Sequence, residues 1–253
     1  MQRRVPCWAD IVYGPIASRR LGLSLGINLF PRRKVCNFSC VYCHFGATTD
    51  ELPATDGGAT GLPAAGDVCR ALAAHLENLG APEVITFAGN GEPTLHPRFP
   101  EIVAEVVALR NRLAPEVPLA ILSNSTQVHN RRVREALMAL DQRVMKLDAA
   151  EPETFRRMAR PRRPVRMDDI VKGLASLRPV FIQSLFVEGE VENCSREKVE
   201  RLVSALQRIQ PCEVEVHTAT RWTAESYVKP VDRRRLERIA ETMNAAGIQA
   251  RVY

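Results

Sequence analysis

No stretch of this 253-residue chain is both long and apolar enough for a membrane span; even residues 102–109 are broken by Glu105. The first segment lacks the apolar core of a secretion signal, since Arg3 and Arg4 are followed by Pro6, Trp8 and Asp10. A disulfide framework does not fit either. Seven cysteines is an odd number, three fall within eight residues, and Cys7, Cys69, Cys194 and Cys212 form no second group. These absences lead to the expectation of a cytosolic protein with reduced thiols, its four outlying cysteines packing like small apolar side chains. With 45% hydrophobic and 25% charged residues, neither disorder nor a fibrous class is indicated. A net charge of +6 points mildly toward anionic partners.

What is present is a regular alternation. A strand is expected over residues 23–30, with Leu23, Leu25, Ile27 and Leu29 on one face, preceded by a turn-rich irregular segment, residues 13–22. Residues 46–66, with five glycines and two prolines, read as a loop, either a lid or a disordered insertion. Beyond it the pattern predicts helix 67–78, strand 83–87, helix 99–113, strand 119–123, helix 131–140 and strand 143–147. Helix 167–177, strand 180–187, helix 195–209, strand 213–217, helix 232–246 and a short strand 248–252 follow. Such βα units form a mainly parallel sheet in one α/β domain over residues 1–253, either an incomplete barrel or a doubly wound open sheet.

The densest chemistry lies directly after the first strand, in Cys36-Asn37-Phe38-Ser39-Cys40-Val41-Tyr42-Cys43. Three thiols spaced C-x3-C-x2-C leave a fourth metal position open, and soft thiolates select iron-sulfur clusters or zinc. A closed zinc site completed by His44 or His96 is the structural alternative. Arg32, Arg33 and Lys34 would lower the thiol pKa values, unless they are simply solvated surface charges. One βα unit later the chain reads Thr86-Phe87-Ala88-Gly89-Asn90-Gly91-Glu92-Pro93, a strand exit where glycines admit close backbone approach and a carboxylate can hold an ammonium group.

Together these motifs resemble the radical S-adenosylmethionine (SAM) superfamily, including the aromatic Tyr42 before the last cysteine. The resemblance implies a partial (β/α)6 TIM-like barrel with a [4Fe-4S] cluster on Cys36, Cys40 and Cys43. It implies SAM bound near Tyr42, with Gly89, Asn90, Gly91 and Glu92 at its amino group. By position, Ser123, Asn124, Asp148 and Gln183 would face the ribose, and Arg221 would pair with a carboxylate. His217 and Trp222 either line a substrate pocket or pack in the barrel.

A narrower resemblance links Gly89 to Pro97, Leu147-Asp148-Ala149, Arg160-Pro161 and residues 220–225 to bacterial iron-sulfur oxidoreductases related to the wybutosine-synthesis enzymes of tRNA. It implies reductive SAM cleavage to a 5′-deoxyadenosyl radical acting on a substrate, with a tRNA base as one class and a peptide, metabolite or partner enzyme as the other. A non-catalytic zinc or iron-sulfur binding protein is the remaining alternative. With no room for an electron-delivery domain, a separate one-electron donor such as flavodoxin or ferredoxin is expected. The stretch 155–166 holds Arg156, Arg157, Arg160, Arg162, Arg163 and Arg166 without an acid. It is expected either to project guanidinium groups toward RNA phosphate or to be neutralised by Glu153, Asp168 and Asp169.

Overall fold

The computed structural model describes residues 7–48 and 61–253. Most of the expected loop 46–66 therefore lies outside the described residues. Strands β1 (Val12–Ser18), β2 (Gly22–Ile27), β3 (Val84–Phe87), β4 (Leu119–Ser123), β5 (Gln142–Lys146), β6 (Phe181–Gly189), β7 (Glu213–Thr218), β8 (Val228–Pro230) and β9 (Ala250–Val252) form one sheet. Its path is β1-β2-β3-β4-β5-β6-β7-β9, with β8 paired to the end of β6. From β2 to β7, and on to β9, every pairing on the path is parallel; β1 runs antiparallel to β2. Among the described residues β1 and β9 do not pair with each other, so the sheet is open and not a closed barrel.

The helices are α1 (Ala65–Leu79), α2 (Phe99–Leu113), α3 (Arg131–Met138), α4 (Pro152–Ala159), α5 (Met167–Ala175), α6 (Arg196–Ile209) and α7 (Arg233–Ala245). Their apolar stripes pack into the core shared with the sheet. In α2, Phe99, Ile102, Val103, Val106 and Leu109 are buried at the three- and four-residue spacing that puts them on one side. All four residues of β3 are buried, as a parallel strand covered on both faces requires. Asn130 caps α3 through the N–H groups of Arg132 and Val133, and Asp232 caps α7 through that of Arg235. No helix among the described residues is long and apolar enough to cross a membrane.

Four elements differ from the sequence reading. Residues 12–18 form β1, because the turn formers Gly14 and Pro15 sit at an irregularity between two paired runs. The strand after it stops at Ile27: the Asn28 side chain accepts from Phe30 N (3.2 Å) and donates to Asp10 O (3.0 Å), replacing ladder bonds, and Leu23 is exposed. Helix α4 and strand β8 are too short to show a clear period. None of the cysteines forms a disulfide; Cys194 is buried, whereas Cys212 is exposed and so is not a packing residue.

Candidate active site

The thiol loop hangs between two supports. On one side Val35 N donates to Asn90 O (3.0 Å) and Glu92 N donates to Val35 O (2.9 Å), a bridge between the residue before Cys36 and the Gly-Asn-Gly-Glu turn. Gly91 has φ +125°, and a Cβ there would lie 1.8 Å from Val35 O, so no other residue fits without breaking the bridge. On the other side α4 presents its last carbonyls. Ser39 N donates to Ala159 O (2.9 Å), Val41 N to Met158 O (2.9 Å), and Arg162 N returns a bond to Asn37 O (2.9 Å). Val35, Phe38 and Val41 are buried in the core, Phe38 meeting Phe155 edge-on at 5.4 Å. Cys36, Cys40 and Cys43 are only half-buried and face a cavity of about 330 Å³ at the C-terminal ends of the strands.

That cavity gathers the expected residues. Tyr42, Gly89, Gly91, Glu92, Ser123, Asn124, Asp148, Gln183 and Arg221 line it together with the three thiols and Trp222. Asn90 does not. Its amide accepts from Trp8 N (2.8 Å) and donates to Trp8 O (2.8 Å) and Phe30 O (2.9 Å), and its backbone N–H donates to Asn28 Oδ1 (3.2 Å). The residue between the two glycines therefore ties down the amino-terminal segment, with its side chain turned away from the cavity.

Glu92 is almost fully buried, yet its carboxylate is satisfied. Oε1 accepts from Thr94 N (3.1 Å), Thr94 Oγ1 (2.6 Å) and Ser123 Oγ (2.9 Å), while Oε2 accepts from Asn124 N (2.5 Å). Burial raises its pKa against the pull of these donors. Ser123 thus holds Glu92 in place, and Asn124 bridges onward to the thiol loop, donating from Nδ2 to Asn37 Oδ1 (2.7 Å) and lying 3.7 Å from Cys36 Sγ. Across the cavity the Tyr42 hydroxyl donates to Asp148 Oδ2, whose other oxygen takes Leu185 N (2.8 Å) and Lys146 Nζ (2.9 Å). Lys146 Nζ also sits 5.1 Å from the centre of the Tyr42 ring. The sequence reading gives no role to Lys146 or Asn37; the signal for Lys146 is its place two residues before Asp148, on the same face at a strand end.

Of the basic run before the thiols, Lys34 lowers the Cys36 pKa as expected, but burial outweighs it. Arg32 and Arg33 are exposed, and buried Lys34 donates to Gly46 O. Burial and then Glu92 push the Cys36 thiol up to about 12, with Lys34 opposing; burial and the neighbouring thiols raise Cys40 further. A metal bound by Cys36 and Cys40 therefore has to displace their protons. Among the described residues no three Cys, His, Asp or Glu side chains converge on a point that one ion would fill. Cys36, Cys40 and Cys43 line one cavity, and three soft thiolate donors there fit an iron-sulfur centre. His44 lines the same cavity, while His96 borders a separate one with Thr126 and Arg163.

Residues 33–203 match the model of the radical SAM superfamily. A UPF0026 protein of Synechocystis sp. is 32% identical over 214 residues, covering 83% of this chain and 76% of that protein. A protein of Brachyspira hyodysenteriae named GTPase Obg is 28% identical over 237 residues, 92% of this chain but 33% of its own length, so the chain spans about a third of that relative. Among solved structures, SuiB of Streptococcus suis bound to S-adenosylmethionine superposes with a TM-score of 0.66 at 16% identity, over 90% of this chain and 50% of that one, which shows a shared fold. The thiol loop, the glycine turn facing it and the match across most of the chain agree: this protein belongs to the radical SAM superfamily, among its UPF0026 members.

Proposed function

We propose that Cys36, Cys40 and Cys43 hold a [4Fe-4S] cluster and that the cavity above them holds SAM. When bound, the pair would supply reductive cleavage of SAM to methionine and a 5′-deoxyadenosyl radical that takes a hydrogen atom from the substrate. The protein's part is to fix and enclose. Gly89 and Gly91 leave room for the amino end of SAM, with Glu92 as its anionic partner behind them. Asn124, Asp148 and Gln183 offer polar groups for the ribose, and Arg221 a fork for a carboxylate. Ser123 acts through Glu92. Tyr42, pinned by Asp148, shapes the wall next to Cys43. Electrons come from a separate donor such as flavodoxin or ferredoxin. The observation that carries this reading is the meeting of three half-buried thiols with the Gly89 to Glu92 turn around one cavity.

For the substrate, the wybutosine-type resemblance favours a tRNA base. The structure favours the second class, a small metabolite or peptide, because the arginines of residues 155–166 are largely engaged. Arg160 pairs with Glu225 and donates to Tyr227 Oη (2.8 Å), Arg157 donates to Glu190 O (2.5 Å), and Arg166 lies 3.7 Å from Asp169. Anaerobic reconstitution tests the metal assignment. About four irons per chain are expected, and Cys40→Ala should lose them. Uptake of zinc alone would return the chain to a metal-stabilised binding protein.

A further inference from the structure

Part of the cavity wall is a segment without regular structure, residues 219–227, between β7 and β8. Its first half, Ala219, Thr220, Arg221 and Trp222, lines the cavity. Such a segment keeps its place through the bonds it makes to other elements. Both ends are anchored. At the start, Thr218 Oγ1 donates to Phe186 O (2.9 Å) and accepts from Val231 N (2.8 Å). At the end, β8 pairs with β6, and a Cβ on Gly189 would come within 2.0 Å of Tyr227 O.

The middle is tied to the thiol loop. Glu225 N donates to Val41 O (3.0 Å), and Val41 stands between Cys40 and Cys43. Thr223 Oγ1 donates to Glu225 O (2.9 Å) and tightens the turn beside it. The Glu225 carboxylate pairs with Arg160, which also donates to Tyr227 Oη (2.8 Å). Arg160 in turn touches the thiol loop, its carbonyl accepting from Ser39 N (3.2 Å), one residue before Cys40. The contacts therefore close a ring, from Ser39 to Arg160, from Arg160 to Glu225 and from Glu225 back to Val41. The backbone of Arg160 is left-handed, φ 46°, at the end of α4, a place usually taken by glycine or asparagine. The side chain that glycine would lack is the one that reaches Glu225.

We infer that Arg160 and Glu225 are positioning residues: they fasten the wall after β7 to the loop of the three thiols, and so set where Arg221 and Trp222 meet the ligand in the cavity. That the ligand is SAM rests on the reading above; the fastening itself does not. The side chains of the pair are 43% and 30% exposed, so it adds little to the stability of the whole fold and its effect is local. Local fixing is what a binding wall needs, because side chains already held in place lose less freedom when the ligand arrives.

The test uses the full chain carrying Trp8→Phe, in which Trp222 is the remaining tryptophan. In this background Glu225→Gln and Arg160→Gln should each shift the Trp222 emission to longer wavelength and raise its quenching by acrylamide. On the reconstituted protein each should weaken SAM, measured by equilibrium dialysis, about fivefold, as expected for partial loss of a hydrogen bond from the displaced wall. Urea midpoints should stay at the parent value. Arg160→Glu combined with Glu225→Arg restores a pair of opposite charges and should recover most of the affinity and the parent emission. Unchanged emission and quenching in the single variants, no recovery in the double variant, or a fall in the urea midpoint that accounts for the lost affinity would overturn the proposal. A parent protein that binds no SAM would overturn the reading above, while the fluorescence still decides the fastening.

Discussion

A Cβ on Gly91 would sit 1.8 Å from the carbonyl oxygen of Val35, the residue that leads into Cys36. This contact joins the two motifs that sequence alone shows apart. Gly91→Ala should therefore cost about 1–3 kcal/mol through forced displacement of packed backbone. It should also lower iron uptake on reconstitution, because Cys36 follows the bridge directly. Denaturant unfolding and iron content measure the two effects; a variant of normal stability that still loads iron fully would show that the bridge does not set the loop.

Asn90 separates structure from cofactor binding. Asn90→Ala strips partners from Trp8 and Phe30 in a buried place, with an expected loss of about 1–3 kcal/mol in unfolding free energy. Because the side chain faces away from the cavity, SAM affinity of the folded variant should stay within about threefold of the parent, well under the cost of a lost ligand hydrogen bond. A tenfold loss by calorimetry, with the fold intact, would put Asn90 back among the SAM contacts.

The Tyr42 hydroxyl and Asp148 should be coupled. Tyr42→Phe keeps the ring near Lys146 but removes the donor to Asp148 Oδ2, at an expected cost of about 1–2 kcal/mol. If the bond matters as drawn, Asp148→Asn should cost less in the Tyr42→Phe background than in the parent. Strict additivity of the two losses in a double-mutant cycle would mean the pair does not interact.

His96 gives a pH signature. Its imidazole Nδ1 accepts from Arg98 N (3.2 Å), and burial, then Arg98, lower its pKa from 6.5 to about 4. Between those values the unfolded chain binds the proton that the folded chain refuses. Stability therefore rises with pH across that window and is lost as pH falls through it. His44, lowered to about 4 mainly by burial, adds in the same direction. Urea midpoints measured from pH 7 down to pH 4.5 should drop, and His96→Gln should flatten part of the slope; identical slopes would remove His96 as the cause.

How much of this was legible follows from what each signal depends on. The thiol loop, the glycine turn and most βα units rest on local spacing, and helix 99–113 and strand 119–123 match to the residue. Strand β1 was hidden because Gly14-Pro15 carries turn chemistry whether it ends a strand or interrupts one. Helix α4 spans eight residues, too few to establish a period, yet its carbonyls carry the thiol loop. Side-chain direction was the larger gap. Nothing in the order Gly-Asn-Gly shows that the middle side chain turns toward Trp8. Lysine and arginine beside the cysteines suggested thiolate stabilisation, whereas the fold exposes Arg32 and Arg33 and lets burial dominate at Cys36. The pairing of Arg20 with Glu215 joins residues almost two hundred positions apart and has no sequence signal at all.

The most direct measurement is the release of 5′-deoxyadenosine and methionine from SAM by the anaerobically reconstituted, chemically reduced protein. Equal amounts of the two products are expected from the parent, with none from Cys36→Ala, Cys40→Ala or Cys43→Ala. A fully iron-loaded, reduced protein that binds SAM and leaves it uncleaved would contradict the account.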